Sequence, residues 1–240
     1  MALPYRPRKT THVAWLLRDG GRHGLELEGV RTGGSPRMRP AGLGGYPPGR
    51  PHTGRVSFGV LFVCTGNLCR SPVAERYLRS RLGPQAAVHA SSAGLRALAG
   101  HPMDPFSAQA LRELGGDDRG HAARGLDEDM VLAADLILGA SVEHRDAVLR
   151  LVPAALHRTF TVKEFVRLGA AVRPAGDLGA ASAVVGAVAR QRGRQDAAPP
   201  GWDDIADPIG ASLEVARAVA RDSAAAIDGL LRLLGTPGRR

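Results

Sequence analysis

The sequence predicts an α/β protein with a four-stranded parallel sheet flanked by helices, in a single domain over residues 56–240. From Val60 onward, short apolar runs alternate with stretches of helical spacing, the pattern of parallel strands joined by helical crossovers. The length of 240 residues allows one domain of about 150–200 residues plus additional segments. A cysteine ends the first apolar run, at the strand end where such sheets bind ligands.

The apolar spacing assigns each element in turn. Val60–Val63 is a four-residue apolar run that suits a buried strand, and apolar residues from Pro72 to Leu82 recur at helical spacing. The later elements follow the same two patterns. Strands are predicted at Val88–Ser91, Asp135–Leu138 and Ala155–Thr161, and helices at Ser107–Leu114, Asp127–Ala133, Glu143–Leu151, Ala180–Arg192 and Val215–Leu234.

Two segments depart from this alternation. Residues 1–55 are rich in Gly, Pro and Arg, and they hold 10 of the 32 Lys and Arg but only 3 of the 23 Asp and Glu. We expect a basic, low-complexity, disordered arm; the alternative is an arm that binds nucleic acid or an acidic membrane surface. Residues 168–201 are an Ala/Gly/Arg-rich insertion, which either shapes substrate access or serves as a spacer.

The segment Cys64–Ser71, called the phosphate loop below, carries the predicted chemistry. Cys64 is followed by five residues and then by Arg70 and Ser71-Pro72, which open a helical pattern. Backbone N–H groups of a curled loop at a helix N-terminus bind phosphate. The planar guanidinium of Arg70 matches two phosphate oxygens, and a cysteine in this environment favours the nucleophilic thiolate form.

The residues within the loop support this interpretation. Gly66 permits backbone torsions that other residues resist, Asn67 tolerates left-handed torsions, and the Ser71 hydroxyl is placed to hydrogen-bond the thiolate. The predicted phosphate-binding residues are Thr65, Gly66, Asn67, Leu68, Cys69, Arg70 and Ser71. The alternative for Cys64 is a buried core cysteine at a strand end.

Composition excludes several classes of protein. No run of 18 or more apolar residues occurs, so no membrane-spanning helix is predicted. The two cysteines of the chain, Cys64 and Cys69, both lie in the phosphate loop, which leaves no disulfide framework and predicts a cytoplasmic location. His, Cys, Asp and Glu show no metal-ligand spacing, so neither a metal nor another cofactor is expected.

The run Cys-Thr-Gly-Asn-Leu-Cys-Arg-Ser-Pro from Cys64 resembles the active-site segment of the low-molecular-weight protein tyrosine phosphatases. Further similarities follow in family order up to Leu234. They are a Ser-Ala-Gly turn at Ser92–Gly94, a His-x-x-Arg element at His121–Arg124, a third strand at Ala134–Leu138 and Asp207-Pro208. The resemblance implies a bacterial cytoplasmic phosphatase that acts on phosphorylated protein.

The resemblance also implies roles for individual residues. Cys64 attacks phosphorus to give a phosphocysteine, which water then hydrolyses, while Arg70 holds the phosphoryl oxygens. Asp207 is the general acid and then the base. Its alternatives, Asp203 and Asp204, are interpreted as surface acids of a turn.

Ser92 and His121 are implied to act from behind the loop. Both would hydrogen-bond Asn67 or Ser71 and so fix the loop. The alternative for His121 is a helix-cap or surface histidine.

The substrate is predicted from the loop and the acid segment. Phe160–Phe165 and the form Asp-Pro-x-Gly-x-Ser at Asp207 resemble the branch that includes protein-arginine phosphatases, which carry a threonine where Leu68 stands. Ile209 takes a position that is aromatic in many members, and Trp202 is a candidate aromatic wall. The apolar Leu68 favours an aryl ester, so the prediction is phosphotyrosine, with phosphoarginine as the alternative.

Two further functions are weighed against this one. Arsenate reductases of this fold need additional cysteines, and the chain has none beyond Cys69. The alternative from a different class is a catalytically silent module that binds phosphate or nucleic acid.

Overall fold

The computed structural model describes residues 57–82 and 87–236, and for Leu178 the backbone alone. The predicted basic arm at 1–55 lies outside these residues. Within them, the predicted α/β class is confirmed, with four parallel strands in the order β2-β1-β3-β4. The strands are β1 (Phe58–Cys64), β2 (Val88–Gly94), β3 (Leu136–Gly139) and β4 (Thr159–Thr161).

Helices connect the strands and cover both faces of the sheet. They are α1 (Arg70–Arg81), α2 (Pro105–Glu113), α3 (Glu128–Ala133), α4 (Val142–Leu151), α5 (Val162–Gly169), α6 (Ala181–Ala189) and α7 (Leu213–Leu233), with short 3₁₀ helices at Pro153–Arg158 and Leu178–Ala180. None of the helices in the described part of the chain is long and apolar enough to cross a bilayer.

Alternate residues of β1 feed two hydrophobic cores, as the pleat of a strand requires. Val60 and Phe62 pack with α1, α2, α5, α6 and α7 in the larger core. Leu61 and Val63 pack on the other face with residues of α3, α4 and the 3₁₀ helix that follows α4. All seven residues of β1 are buried, so the strand end that carries Cys64 is held from both sides.

Two sequence-based predictions need correction. The fourth strand was expected over Ala155–Thr161, but Pro153–Arg158 form a 3₁₀ helix and only Thr159–Thr161 pair with β3. Helix α5 was not predicted. Its signal was present, because the Thr161 side chain accepts from Glu164 N and the Glu164 side chain accepts from Thr161 N, which is a capping box.

Residues of the predicted insertion contribute to the larger core. In α6, the buried side chains are Ala181, Val184, Val185 and Val188. Just beyond α6, the Arg192 guanidinium lies 4.1 Å from the centre of the Phe160 ring and donates to Glu164 Oε1 at 2.9 Å. It also donates to the backbone oxygens of Leu156 and Thr159, at 2.8 and 2.6 Å.

Candidate active site

The phosphate loop joins the carboxyl end of β1 to the N-terminus of α1, which begins at Arg70. Cys64 is the last residue of β1 and is buried, with its Sγ 2.9 Å from Ser71 Oγ. A helix N-terminus carries a partial positive charge and free N–H donors. The thiol and the positive end of α1 therefore meet at one point, as an oxyanion site with a nucleophile requires.

Asn67 holds the loop in shape. It has a φ of 56°, the left-handed region that Asn tolerates better than most residues. Its Nδ2 donates to both Ser71 Oγ and Ser92 Oγ at 2.9 Å, and its Oδ1 accepts from Arg124 N at 3.0 Å. Gly66 was expected to permit torsions that other residues resist, but its φ is not positive, so the loop does not use that freedom.

The two residues implied to lie behind the loop are both in contact with Asn67. Ser92 accepts from Asn67 as described and donates to Glu75 Oε2 at 2.5 Å. His121 Nε2 donates to the Asn67 backbone oxygen at 2.8 Å, and burial lowers the pKa of His121. The neutral imidazole thus ties the loop to the segment after α2, and the helix-cap alternative for His121 does not apply.

Gly94 allows the end of β2 to pack closely against the backbone of the phosphate loop. A Cβ built on Gly94 would lie 2.7 Å from Thr65 O and 2.8 Å from Asn67 N, closer than real Cβ atoms come to backbone. Next to it, Leu95 N donates to Cys64 O at 2.9 Å. The end of β2 therefore limits the loop on one side, and only glycine fits there.

Arg70 and Asp207 form an ion pair at the mouth of the loop. Arg70 Nη2 lies 2.6 Å from Asp207 Oδ2, and their side chains are 8% and 43% exposed. Arg70 Nε is buried and has no hydrogen-bond partner among the described residues. Arg70 thus combines a donor that meets the predicted acid with a second donor that is free to bind an anion.

The segment that carries Asp207, residues 203–208, is called the acid loop. Asp203 was interpreted as a surface acid, but it is 8% exposed and Arg167 donates to both of its carboxylate oxygens at 2.7 and 3.1 Å. Its backbone oxygen accepts from Thr161 Oγ1 at 2.8 Å. Asp204 Oδ1 accepts from Val142 N at 2.8 Å. Both carboxylates are therefore occupied in anchoring the loop, which leaves Asp207 to face Arg70.

Trp202, the candidate aromatic wall, lies elsewhere. Its side chain is 66% exposed and borders a groove of about 630 Å³ together with residues of α5 and α7, including Lys163 and Ala226. The groove lining, as far as the described residues form it, includes no residue of the phosphate loop.

His144 is a contact of the loop that sequence reasoning missed. Its Nε2 lies 2.9 Å from Thr65 Oγ1, although 79 positions separate the two residues. Nothing in the local sequence around α4 distinguishes it from a surface histidine of a helix. Over the described residues, no group of three or more His, Cys, Asp or Glu is arranged to hold a metal ion.

The first strand of this parallel sheet ends in Cys-x5-Arg, and an aspartate pairs with that arginine, an arrangement typical of proteins that bind phosphate in a loop after the first strand. The family described as low molecular weight phosphotyrosine protein phosphatase matches residues 59–173. The chain is also 30% identical over 182 residues to the protein-arginine-phosphatase of Geobacillus stearothermophilus, covering 75% of this chain and 99% of that protein. The chain therefore belongs to the low molecular weight phosphotyrosine protein phosphatase family.

Two other comparisons agree with this assignment. The low molecular weight protein-tyrosine-phosphatase Etp of Escherichia coli (strain K12) is 41% identical over 100 residues, which are 42% of this chain and span only 66% of Etp. The solved structure of a low molecular weight protein tyrosine phosphatase from T. tengcongensis superposes with a TM-score of 0.55 at 30% identity, covering 73% of this chain and 98% of that one.

Proposed function

We propose that the protein is a cysteine-dependent protein tyrosine phosphatase that needs no metal. The observation that carries the proposal is the convergence of Cys64, Arg70 and Asp207 at one helix N-terminus, with Sγ 2.9 Å from Ser71 Oγ and Arg70 2.6 Å from Asp207. These three groups are a nucleophile, an oxyanion binder and a proton donor, which together suffice for phosphoryl transfer.

The reaction takes two displacements. In the first, Cys64 Sγ forms a bond to phosphorus while the phosphorus–phenol oxygen bond breaks, and the Asp207 carboxyl group gives its proton to that oxygen. In the second, water attacks phosphorus, the sulfur–phosphorus bond breaks, and Asp207 takes a proton from the water. The phosphoryl oxygens compete with Asp207 for Arg70, so substrate binding frees the carboxyl group to face the leaving oxygen.

Replacing the nucleophile tests the enzyme class. We expect Cys64→Ser to lose turnover of p-nitrophenyl phosphate and to keep binding inorganic phosphate, because a serine hydroxyl is not ionised near neutral pH. Turnover in the presence of a metal chelator should equal turnover in its absence. A native protein that binds phosphate and turns over no aryl phosphate would instead be the silent binding module.

The choice of phosphotyrosine depends on the apolar side chains around the loop. Leu68 is half-buried in the loop itself, and its backbone oxygen accepts from Asp104 N just before α2. The next segments present Phe106 and Ile209, which are 45% and 52% exposed. Apolar surface suits an aryl ring, whereas each unpaired guanidinium donor against it costs about 1–3 kcal/mol.

Phosphoarginine is the second candidate substrate, and one observation favours it: the relative matched over 99% of its length is a protein-arginine-phosphatase. The two substrates are separated by comparing kcat/KM on phosphotyrosine and phosphoarginine peptides of the same sequence. We expect the native enzyme to prefer phosphotyrosine and Leu68→Thr to shift the ratio toward phosphoarginine. Leu132→Thr, at an exposed leucine of α3, is the matched control. A native preference for phosphoarginine would reverse the assignment.

A further inference from the structure

His144 is a buried imidazole with a partner on each ring nitrogen. The residue is 2% exposed. Its Nε2 lies 2.9 Å from Thr65 Oγ1 and its Nδ1 lies 2.5 Å from Ser141 Oγ. The ring therefore forms a bridge between the start of α4 and the first residue after Cys64.

The residues before α4 allow the helix to place this ring against the loop. β3 ends at Gly139, where a Cβ would lie 3.1 Å from the Cβ of His144 and 2.8 Å from Arg145 N. Ser141 occupies the N-cap of α4, a position where serine normally caps the helix, yet its side chain makes no capping bond. The hydroxyl is instead committed to the imidazole.

Thr65 links the imidazole to Arg70. Thr65 Oγ1 also accepts from Arg70 Nη2, at 3.4 Å. One hydroxyl thus lies between the imidazole and the guanidinium, and its orientation depends on both.

The imidazole is neutral at this position. Burial and, secondly, the charge of Arg70 lower the pKa of His144 to about 4, against the opposing effects of Glu143, Asp207 and Asp204. A neutral ring adds no repulsion toward Arg70, and it can hydrogen-bond Thr65 through either tautomer.

We propose that His144 is a positioning residue, which holds the Thr65 hydroxyl and through it the Arg70 guanidinium in the orientation that binds the transferred phosphoryl group. The part of this inference that concerns catalysis rests on the proposed phosphatase function. The effect of His144 on phosphate affinity does not require turnover, because its contacts belong to the anion site.

Two amide variants separate the two contacts of the ring. The amide of His144→Gln reaches the position of Nε2 and can keep the bond to Thr65, whereas that of His144→Asn reaches only the position of Nδ1 and keeps the bond to Ser141. We expect His144→Asn to raise the dissociation constant of inorganic phosphate and the KM of p-nitrophenyl phosphate about tenfold, which is the order of one lost hydrogen bond in a buried site. His144→Gln should stay within about twofold of the native protein.

Phosphate affinity is measured by equilibrium titration and the kinetic constants separately, with a melting temperature for each variant. A merely structural role would lower the melting temperature and leave phosphate affinity equal in both variants, and that result would overturn the inference. Equal weakening by Gln and Asn would overturn it too.

Thr65→Val combined with His144→Asn should weaken phosphate binding no more than Thr65→Val alone, since both remove the same bond. Native protein that binds phosphate without turnover would refute the phosphatase function and leave this inference standing.

Discussion

The ion pair between Arg167 and Asp203 should control proton donation by Asp207, four residues further along the chain. Arg167 on α5 holds both carboxylate oxygens of Asp203 at 2.7 and 3.1 Å, and the hydrogen bonds to Asp203 raise the pKa of Arg167. Arg167→Gln removes the charge and the two-pronged geometry, and its shorter amide keeps the position polar.

The size of the effect follows from burial. The side chain of Asp203 is 9% exposed and that of Arg167 is 28% exposed. Removing one partner of a fully buried pair costs about 3–5 kcal/mol, and access of water to Arg167 reduces this to about 2–3 kcal/mol. The Asp203 carboxylate will move toward water and carry the acid loop with it. A displacement of about 1 Å at a catalytic group costs up to about 100-fold in rate.

Leaving-group dependence is the assay, because general acid catalysis matters most where the leaving oxygen is basic. We expect Arg167→Gln to lower kcat about 10- to 100-fold on phenyl phosphate and less than about threefold on dinitrophenyl phosphate, as a milder form of Asp207→Ala. Arg217→Gln is the matched control, since Arg217 pairs with both oxygens of Glu113 between α7 and α2, away from the acid loop.

An Arg167→Gln enzyme that melts at a lower temperature but keeps the native ratio of the two rates would contradict this expectation. The acid loop would then hold Asp207 without this ion pair, through its backbone contacts to Ala140 and Thr161. A uniform loss on both substrates would place the role of the pair in phosphate binding instead.

Three other outcomes are expected. Arg192→Ala should lower the free energy of unfolding by about 3 kcal/mol, from three hydrogen bonds and a ring contact, whereas the exposed Arg194→Ala changes it by less than about 0.5 kcal/mol in urea titrations. His144 has a folded pKa of about 4 and a usual value of 6.5, so the unfolded chain binds the proton more readily and stability falls as pH decreases from about 6.5 to 4; His144→Gln should flatten that slope. Peroxide should oxidise the Cys64 thiolate to a sulfenic acid, which condenses with the Cys69 thiol to a disulfide with loss of water, so that thiol restores the native enzyme. In Cys69→Ser, peroxide should oxidise the sulfenic acid further to a sulfinic acid that thiol does not reduce; full recovery would contradict this.

The local parts of the site were predictable from sequence. Cys64, Arg70 and Ser71 lie within one strand–loop–helix turn, where the spacing in the sequence alone determines which side chains lie close together. Most helix positions followed from apolar periodicity, although α1 begins at Arg70, two residues before the predicted Pro72. Family membership and fold class agree with those predictions.

The parts that sequence did not predict depend on contacts between distant residues. His144 reaches Thr65 only because β3 lies beside β1 and Gly139 admits α4. The neighbours of Asp203 in the sequence predict a surface acid. In the structure Asp203 is buried and pairs with Arg167. The length of β4 was overestimated. Ala155 is as buried as a residue of a strand, but it belongs to a 3₁₀ helix.

Gly94 has a consequence for how proteins of this kind are recognised. Its missing side chain leaves the room in which Thr65 and Asn67 turn, so a larger residue there would open the loop while every residue of the Cys-x5-Arg motif stayed in place. A search for that motif alone would classify such a chain as active. A search that also requires glycine at the end of the second strand would separate chains that keep a working loop from chains that keep only the residues of the motif.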